Sequence, residues 1–351
     1  MKKILTLVLA LMMVIGCCAA VAEGTHYISV ISKGEQHAFW QAVRKGCEDA
    51  ANEYGVEMYY YGPPSESDIV LQVEALNAEM QKQPSAIALA ALSTEAVMAQ
   101  LQQCVDQGVP VIGFDSGVPN APEGAIYATA STNNQNAAAL AAEEMVKLEG
   151  FADALKAGTP EAPVIIGVLS QDATSESVTG RTTGFVNKMV ELASEYNTVA
   201  VTGHDLWAKE AEGAGVIVKV EIAATPEITD VTNAANALLN TEGMYAVFCS
   251  NEGAVNGFLA ATSSGADLGE GGAYADLIVA GFDAGAPQKN AVREGWFVGS
   301  VTQDPYQIGY QAVELAVKAA NGVEVEDIDT GAQWYTAANI DDPDIALLVY
   351  D

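Results

Sequence analysis

The chain has 351 residues, of which 50% are hydrophobic, and it carries 46 acidic but only 15 basic side chains, for a formal net charge of −31 at pH 7. This balance argues against nucleic acid or an anionic membrane surface as a partner, because both require basic patches on the protein. The hydrophobic content excludes an intrinsically disordered chain, and the length is sufficient for two α/β domains.

Residues 1–22 are predicted to be an export signal. Lys2 and Lys3 precede a mainly apolar run at 4–15, which is too short to span a bilayer as a helix. Two processing sites remain open: VIGC at 14–17 resembles a lipobox and predicts lipidation of Cys17, whereas AVA at 20–22 predicts cleavage after Ala22. We therefore expect an exported protein, either a lipoprotein anchored on the outer side of the cytoplasmic membrane or a periplasmic protein.

Predicted strands and helices alternate strictly in the first third of the remaining chain. A helix predicted at 39–54 ends at Gly55, and one at 68–83 is stopped by Pro84. Strands are predicted at 26–32, 56–61, 86–91 and 110–115, and a third helix at 95–107. This alternation is typical of a parallel sheet with helices on both faces.

The alternation continues after a short strand that begins at Ile126. Further helices are predicted at 134–149, 180–196, 230–240, 286–294 and 308–321, and another follows residues 251–253 and runs to about Ala261. Further strands are predicted at 163–169, 198–202, 216–222, 244–249, 277–282, 297–302 and 333–335. No stretch has the composition of a flexible linker, so we expect the chain to cross between two lobes in short segments near Ala130, Gln303 and Trp334.

A Gly-Phe-Asp tripeptide occurs twice, each time at the end of a predicted buried strand. Asp115 follows the apolar run at 110–114, and Asp283 follows the run at 279–282. Open α/β sheets bind their ligands at the carboxyl ends of the strands. Two similar strands that each end in an aspartate therefore indicate two similar lobes facing one cleft. The alternative is a chance match between two ordinary loop aspartates.

Six short sequences, taken in order, together resemble one protein family. They are HAFW at 37–40, GVPVIGFD at 108–115, RTTGF at 181–185, VFCSNE at 247–252, VAGFD at 279–283 and VTQDP at 301–305. Over about residues 27–335 the chain is similar to type I periplasmic binding proteins of the ribose-binding-like group, the sugar-binding subunits of ABC importers. Repressors of the LacI type share this body, but here an export signal stands where their DNA-binding headpiece would be.

The resemblance implies an α/β fold of two doubly wound parallel-sheet lobes, joined by three hinge crossings, that close on a ligand. The N-terminal lobe would comprise residues 26–130 plus 304–333. The C-terminal lobe would comprise residues 131–303 plus 334–351.

The resemblance also implies a set of ligand-binding residues. Phe39 and Trp40 match aromatic rings that stack against a sugar, and the two aspartates match carboxylates that accept hydrogen bonds from hydroxyls. The full set is His37, Phe39, Trp40, Asp115, Ser116, Arg181, Asn251, Asp283 and Gln303. For Arg181 a structural role, supporting a loop, is an alternative.

Two departures from the family bear on the ligand. Ser116 and Thr179 stand where ribose binders have arginines, so the resemblance does not imply ribose itself, and His37 stands where an asparagine is usual. The segment 198–224 is longer than in the family. Within it, Trp207 is predicted to lie in a surface hairpin, with an extra ligand contact as the alternative.

No motif predicts catalysis. The sequence has no phosphate-binding P-loop, no GxSxG nucleophile elbow and no zinc-ligand pair among its three histidines. Asp115 and Asp283 could form the acid/base pair of a glycosidase, but a matching aspartate on each lobe suits a clamp. We therefore predict a monomeric, cofactor-free binding protein, not an enzyme.

The predicted ligand is a small polyol, in particular a monosaccharide, which the protein would bring to an ABC permease in the membrane. Two alternatives stay open. One is a sensory binding protein for a chemoreceptor or sensor kinase, and the other is a binder of nucleosides or furanose-type signals.

Overall fold

The computed structural model describes residues 25–350. The helices are α1 (Ala38–Tyr54), α2 (Ile69–Gln81), α3 (Met98–Gln107), α4 (Asn134–Val146), α5 (Phe151–Ala157), α6 (Glu176–Ala193), α7 (Ile228–Leu239), α8 (Glu252–Ala261), α9 (Ala286–Arg293), α10 (Pro305–Ala320) and α11 (Pro343–Ala346). The predicted export signal, with Cys17 and Ala22, lies outside the described residues.

The strands are β1 (Tyr27–Ile31), β2 (Glu57–Tyr61), β3 (Ala86–Leu89), β4 (Val111–Phe114), β5 (Ile126–Ser131), β6 (Val164–Ser170), β7 (Val199–Thr202), β8 (Val216–Ile222), β9 (Met244–Cys249), β10 (Ile278–Phe282), β11 (Gly299–Gln303), β12 (Ile328–Asp329) and β13 (Ala332–Tyr335). They form a six-stranded sheet in the order β12-β5-β4-β3-β1-β2 and a seven-stranded sheet in the order β13-β11-β10-β9-β6-β8-β7. Neighbouring strands run parallel, except that β13 is antiparallel to β11. The predicted α/β class with two parallel-dominated sheets is thereby confirmed.

Each sheet is the centre of one lobe. The six-stranded sheet and the helices α1–α3 and α10 form the N-lobe, and the seven-stranded sheet and α4–α9 form the C-lobe. The chain passes between the lobes after β5, between β11 and α10, and between β12 and β13. The third passage lies at residues 330–331, a few residues before Trp334, because β12 still pairs with β5 of the N-lobe.

The strands that carry the two aspartates are buried on both faces. Every residue of β4 is buried, and so is every residue of β10 after Ile278. Burial on both sides is the reason that these strands read as continuous apolar runs. Three cysteines, Cys47, Cys104 and Cys249, are buried free thiols. Within residues 25–350, no helix is long and apolar enough to span a membrane.

Helix α6 begins four residues earlier than its sequence suggests, at Glu176 rather than at Gly180. Two glycines, Gly180 and Gly184, lie inside the helix, where glycine is normally unfavourable. A Cβ at Gly184 would lie only 2.1 Å from the carbonyl oxygen of Gln135, so the glycines allow α4 and α6 to pack in close contact. The earlier start also places Ser177 in the first turn of α6, where it faces the N-lobe.

The long segment between β7 and β8 forms a small hairpin. Val201 and Lys209 exchange two backbone hydrogen bonds across it. The ring of Trp207 is buried against α6, and its Nε1 donates to Thr183 Oγ1 at 2.9 Å. Trp207 thus packs on the outer side of the C-lobe, and it does not line the cavity between the lobes.

Candidate functional site

The carboxyl ends of both sheets face each other, and a cavity with an empty volume of about 280 Å³ lies between them. Its lining is rich in charged and aromatic side chains. The lining residues are Lys33, His37, Phe39, Trp40, Glu66, Asp115, Arg181, Asn251, Glu252, Asp283 and Gln303.

Asp115 and Asp283 occupy equivalent positions in the two lobes. Each follows a Gly-Phe pair and has a positive φ, 55° for Asp115 and 78° for Asp283. This left-handed conformation is uncommon outside glycine, although aspartate tolerates it better than most residues. The backbone N–H of Asp115 donates to Ala130 O at 3.0 Å, and that of Asp283 donates to Val301 O at 2.7 Å. Each aspartate is thus fixed beside a strand that leads into the other lobe.

The carboxylate of Asp283 is fully engaged by protein donors. Its Oδ1 accepts from Gln303 Nε2 at 2.7 Å, and its Oδ2 accepts from the backbone N–H of Glu252 at 2.9 Å. Arg181 Nη1 approaches the same Oδ2 at 3.4 Å. Arg181 is itself held by Asn134, which accepts from its Nε at 2.9 Å.

The carboxylate of Asp115 is held much more loosely. Lys33 Nζ lies 3.9 Å from Oδ2 and Arg181 Nη2 lies 4.0 Å from Oδ1, and no hydrogen bond to this carboxylate comes from the rest of the described chain. Burial raises the pKa of Asp115 to about 6, although Lys33 and Arg181 act in the opposite direction. Its oxygens therefore retain free acceptor capacity at the cavity.

A polar chain connects the two lobes on one side of the cavity. Trp40 Nε1 donates to Glu66 Oε1 at 2.8 Å, and Gln171 Nε2 of the C-lobe donates to Glu66 Oε2 at 2.8 Å. Gln171 Oε1 in turn accepts from Asn251 Nδ2 at 2.9 Å. The pKa of Glu66 is lowered because Lys33 and these hydrogen-bond donors outweigh the effect of burial.

The aromatic rings of the lining pack edge to face. The rings of Phe39 and Trp40 have centroids 5.0 Å apart and an interplanar angle of 86°, and Trp40 meets Phe114 at 84°. Both lining rings are more than nine-tenths buried and stand at the start of α1. They contribute apolar ring surface to the wall of the cavity.

Eight of the nine ligand-binding residues predicted from the sequence line this one cavity. The exception is Ser116, whose Oγ accepts from the backbone N–H of Ser177 at 3.2 Å across the two lobes. Three further lining residues, Lys33, Glu66 and Glu252, were not predicted. Lys33 lies just after β1, so attention to the residues that follow every strand would have found it.

Contacts outside the cavity also join the lobes at the rim of the cleft. Ser65 Oγ and Ser67 Oγ of the N-lobe both donate to Glu227 Oε1 of the C-lobe at 2.6 Å. Nearby, the backbone N–H of Thr94 donates to Thr174 O at 3.2 Å. The lobes therefore hold a closed arrangement in which the cavity is largely shielded from solvent.

Comparison with known proteins identifies the family to which this fold belongs. A family model described as a periplasmic binding protein domain matches residues 28–324. The chain belongs to the periplasmic binding proteins. The family and the fold indicated by the sequence motifs are therefore confirmed.

Individual periplasmic binding proteins match nearly the whole chain. A structure from Brachyspira murdochii, described as an ABC transporter and LacI family transcriptional regulator, is 40% identical with a TM-score of 0.78, and the match covers 93% of this chain and 99% of that one. A carbohydrate transporter solute binding protein from Agrobacterium radiobacter, solved with D-arabinose, is 25% identical with a TM-score of 0.73 and covers 93% and 99%. The D-allose-binding periplasmic protein of Escherichia coli K12 is 23% identical over 310 residues, 87% of this chain and 88% of that protein.

The cavity has no metal-site character. Residues 25–350 contain no group of three or more histidine, cysteine, aspartate or glutamate side chains placed to hold a metal ion. Two of the lining carboxylates, Glu66 and Asp283, are instead paired with basic side chains and hydrogen-bond donors of the protein.

Proposed function

We propose that this periplasmic binding protein reversibly binds a small polyol, in particular a monosaccharide, in the cavity between its two lobes. The observation that carries the proposal is the composition of the cavity wall. Carboxylates, amides and two basic side chains supply donors and acceptors for hydroxyl groups, while Phe39 and Trp40 supply an apolar surface for a sugar ring. The relatives named for D-allose and D-arabinose support this ligand class.

In this proposal Asp115 is the principal acceptor for ligand hydroxyls, because no hydrogen-bond donor of residues 25–350 engages its carboxylate. Asn251, Asp283 and Gln303 form the facing wall on the C-lobe. His37 and Arg181 complete the set. Ser116 would act by joining the lobes when they close.

The cellular setting is proposed from the same reasoning. The protein would deliver its sugar to an ABC permease in the membrane, as a monomer and without catalysis. Lipidation at Cys17 or cleavage after Ala22 would place it outside the cytoplasm. The lobes that close on the ligand would be those predicted from the sequence, with the third boundary moved from residues 333–334 to residues 330–331, because β13 pairs with β11 of the C-lobe.

A thermal-shift panel of pentoses, hexoses, inositols, nucleosides and amino acids tests the ligand class. A ligand at about a hundredfold over its dissociation constant adds about 2.7 kcal/mol to the free energy of unfolding. We expect a shift with one class of sugar. Stabilisation by amino acids or nucleosides alone would contradict the proposal. Mass spectrometry of the supernatant after denaturation identifies a sugar that copurifies and masks the shift.

A further inference from the structure

Glu252, the first residue of α8, has a carboxyl group that the protein leaves partly unbonded. The residue is only 6% exposed and lines the cavity. Its Oε2 is buried and has no hydrogen-bond partner within residues 25–350, while its Oε1 lies 4.0 Å from His37 Nδ1 of the other lobe. A buried polar atom without a partner is costly, so its retention points to a use in the bound state.

The surroundings of Glu252 come from both lobes. His37 and the backbone N–H groups of Ala38 and Phe39, at the start of α1, face it from the N-lobe. From the C-lobe it is faced by Asp283, at the end of β10, and by Tyr335 and Tyr350. Lys33 and Arg181 are the basic side chains of the cavity lining, and they form ion pairs with Glu66, Asp115 and Asp283 rather than with Glu252.

We propose, building on the sugar-binding function above, that Glu252 is a further ligand-binding residue whose free carboxylate oxygen accepts a hydrogen bond from the ligand at the α1 end of the cavity. The ligand donor is a hydroxyl or a protonated amine. Either group would supply the partner that the protein withholds. The residue would thereby select against ligands that lack a donor at that position, because such ligands leave the buried oxygen unpaired.

This role makes ligand affinity depend on pH. Burial, assisted by the charge of Asp283, raises the pKa of Glu252 to about 7, although His37 and the backbone N–H groups of Phe39 and Ala38 act in the opposite direction. A ligand donor stabilises the ionised form, so binding releases a proton and the affinity rises as the pH increases through about 7. His37 is the other ionisable side chain that contacts Glu252 from across the cleft, and a variant at that position separates the two contributions.

The experiment is isothermal titration calorimetry between pH 6 and pH 8, with the best sugar of the ligand panel and with its analogue in which one hydroxyl is replaced by an amine. The proteins are the wild type, Glu252→Gln, His37→Asn and the control Glu242→Gln. Glu242 is exposed and precedes β9, so it lies at the end of that strand remote from the cavity.

We expect the affinity of the wild type to rise roughly tenfold over this range, as for one group with a pKa near 7. Glu252→Gln should lose most of this rise, with a remainder of about twofold from the ionisation of Asp115, whose pKa is about 6, and bind at least about tenfold more weakly at pH 8. Glu242→Gln should keep the rise unchanged, whereas His37→Asn should keep it but displace it to higher pH, because the charge of His37 lowers the pKa of Glu252. A larger loss for the amine analogue identifies an ammonium donor, and an equal loss for both ligands identifies a hydroxyl.

Two results would overturn the inference, and they differ from each other. If the wild type binds a sugar and Glu252→Gln has the same affinity and pH profile, Glu252 does not contact the ligand, while the proposed function stands. If the wild type binds no sugar or polyol, the proposed function and this inference both fail. Thermal unfolding of unliganded Glu252→Gln guards against misfolding, since the variant should be at least as stable as the wild type at pH 8.

Discussion

Asp115 and Asp283 share a tripeptide, a backbone conformation and a position at the carboxyl end of a buried strand, but they are bonded very differently. Asp283 is held by Gln303, by the backbone of Glu252 and by Arg181. The carboxylate of Asp115 has only two cations near 4 Å. The same local sequence thus gives one aspartate that organises its lobe and one that is left free for a ligand.

The difference arises from the neighbouring elements rather than from the aspartates. Gln303 ends β11 beside β10, and the first turn of α8 directs a backbone N–H at Asp283. No such donor reaches the carboxylate of Asp115 within residues 25–350, and the cations beside it are Arg181 and Lys33, which bonds Ser177 of the other lobe. Four predictions test this contrast.

The largest effect is expected when Asp283 is replaced by alanine. Removal of this buried carboxylate leaves Arg181 without its nearest anion, so the free energy of unfolding should fall by about 3–5 kcal/mol. Chemical denaturation measures it, with Asp115→Ala as the matched control. Equal stability of the two variants would mean that the contacts of Asp283 do not support the fold.

The second prediction concerns the pH dependence of stability. Because burial raises the pKa of Asp115 to about 6 in the folded protein, the folded state holds this proton more tightly than the unfolded chain. Its ionisation therefore destabilises the fold progressively between about pH 4 and pH 6. Relative to the wild type, unliganded Asp115→Asn should gain up to about 3 kcal/mol over that window. If the difference in the free energy of unfolding between Asp115→Asn and the wild type stayed constant from pH 4 to pH 7.5, the prediction would be refuted.

The third prediction is that Asp115→Asn binds sugar more weakly while its fold stays intact. An amide replaces one acceptor oxygen with a donor, and a lost hydrogen bond to a charged group costs about 1.5–3 kcal/mol of binding free energy. Calorimetry with the panel's best ligand measures it. An affinity within twofold of the wild type would show that the free lone pairs of Asp115 do not face the ligand.

The smallest effect is expected at the rim, where contacts join the lobes without touching either aspartate. Glu227→Ala removes the acceptor shared by Ser65 and Ser67. Dissociation of the ligand should accelerate roughly twofold to fivefold, since this exposed contact is present only when the lobes are closed. Stopped-flow kinetics measures the rate. Because the contact is outside the cavity, a change in preference between sugars would argue against this reading.

Much of the fold followed from local patterns. The alternation of apolar runs and helical segments predicted the order of most elements, and α1, for example, ends at Gly55 as expected, in the left-handed conformation. Some other elements were not predicted from the sequence. The short helix α5 and the two-residue strand β12 are too brief to carry a periodic signal. The early start of α6 was hidden by Gly180 and Gly184, whose role is a close contact with a distant helix.

The sequence by itself indicated the two-lobed α/β architecture and the paired aspartates, because each depends on short-range patterns along one strand or helix, and the resemblance to the family pointed to the aromatic residues at the start of α1. Only the tertiary structure decided which carboxylates are bonded and which are free. Lys33, Glu66 and Glu252 reach the cavity because strands and helices distant in the chain converge there. Hydrogen bonds and burial depend on neighbours in space, so the contrast between Asp115 and Asp283 cannot be read from two identical tripeptides.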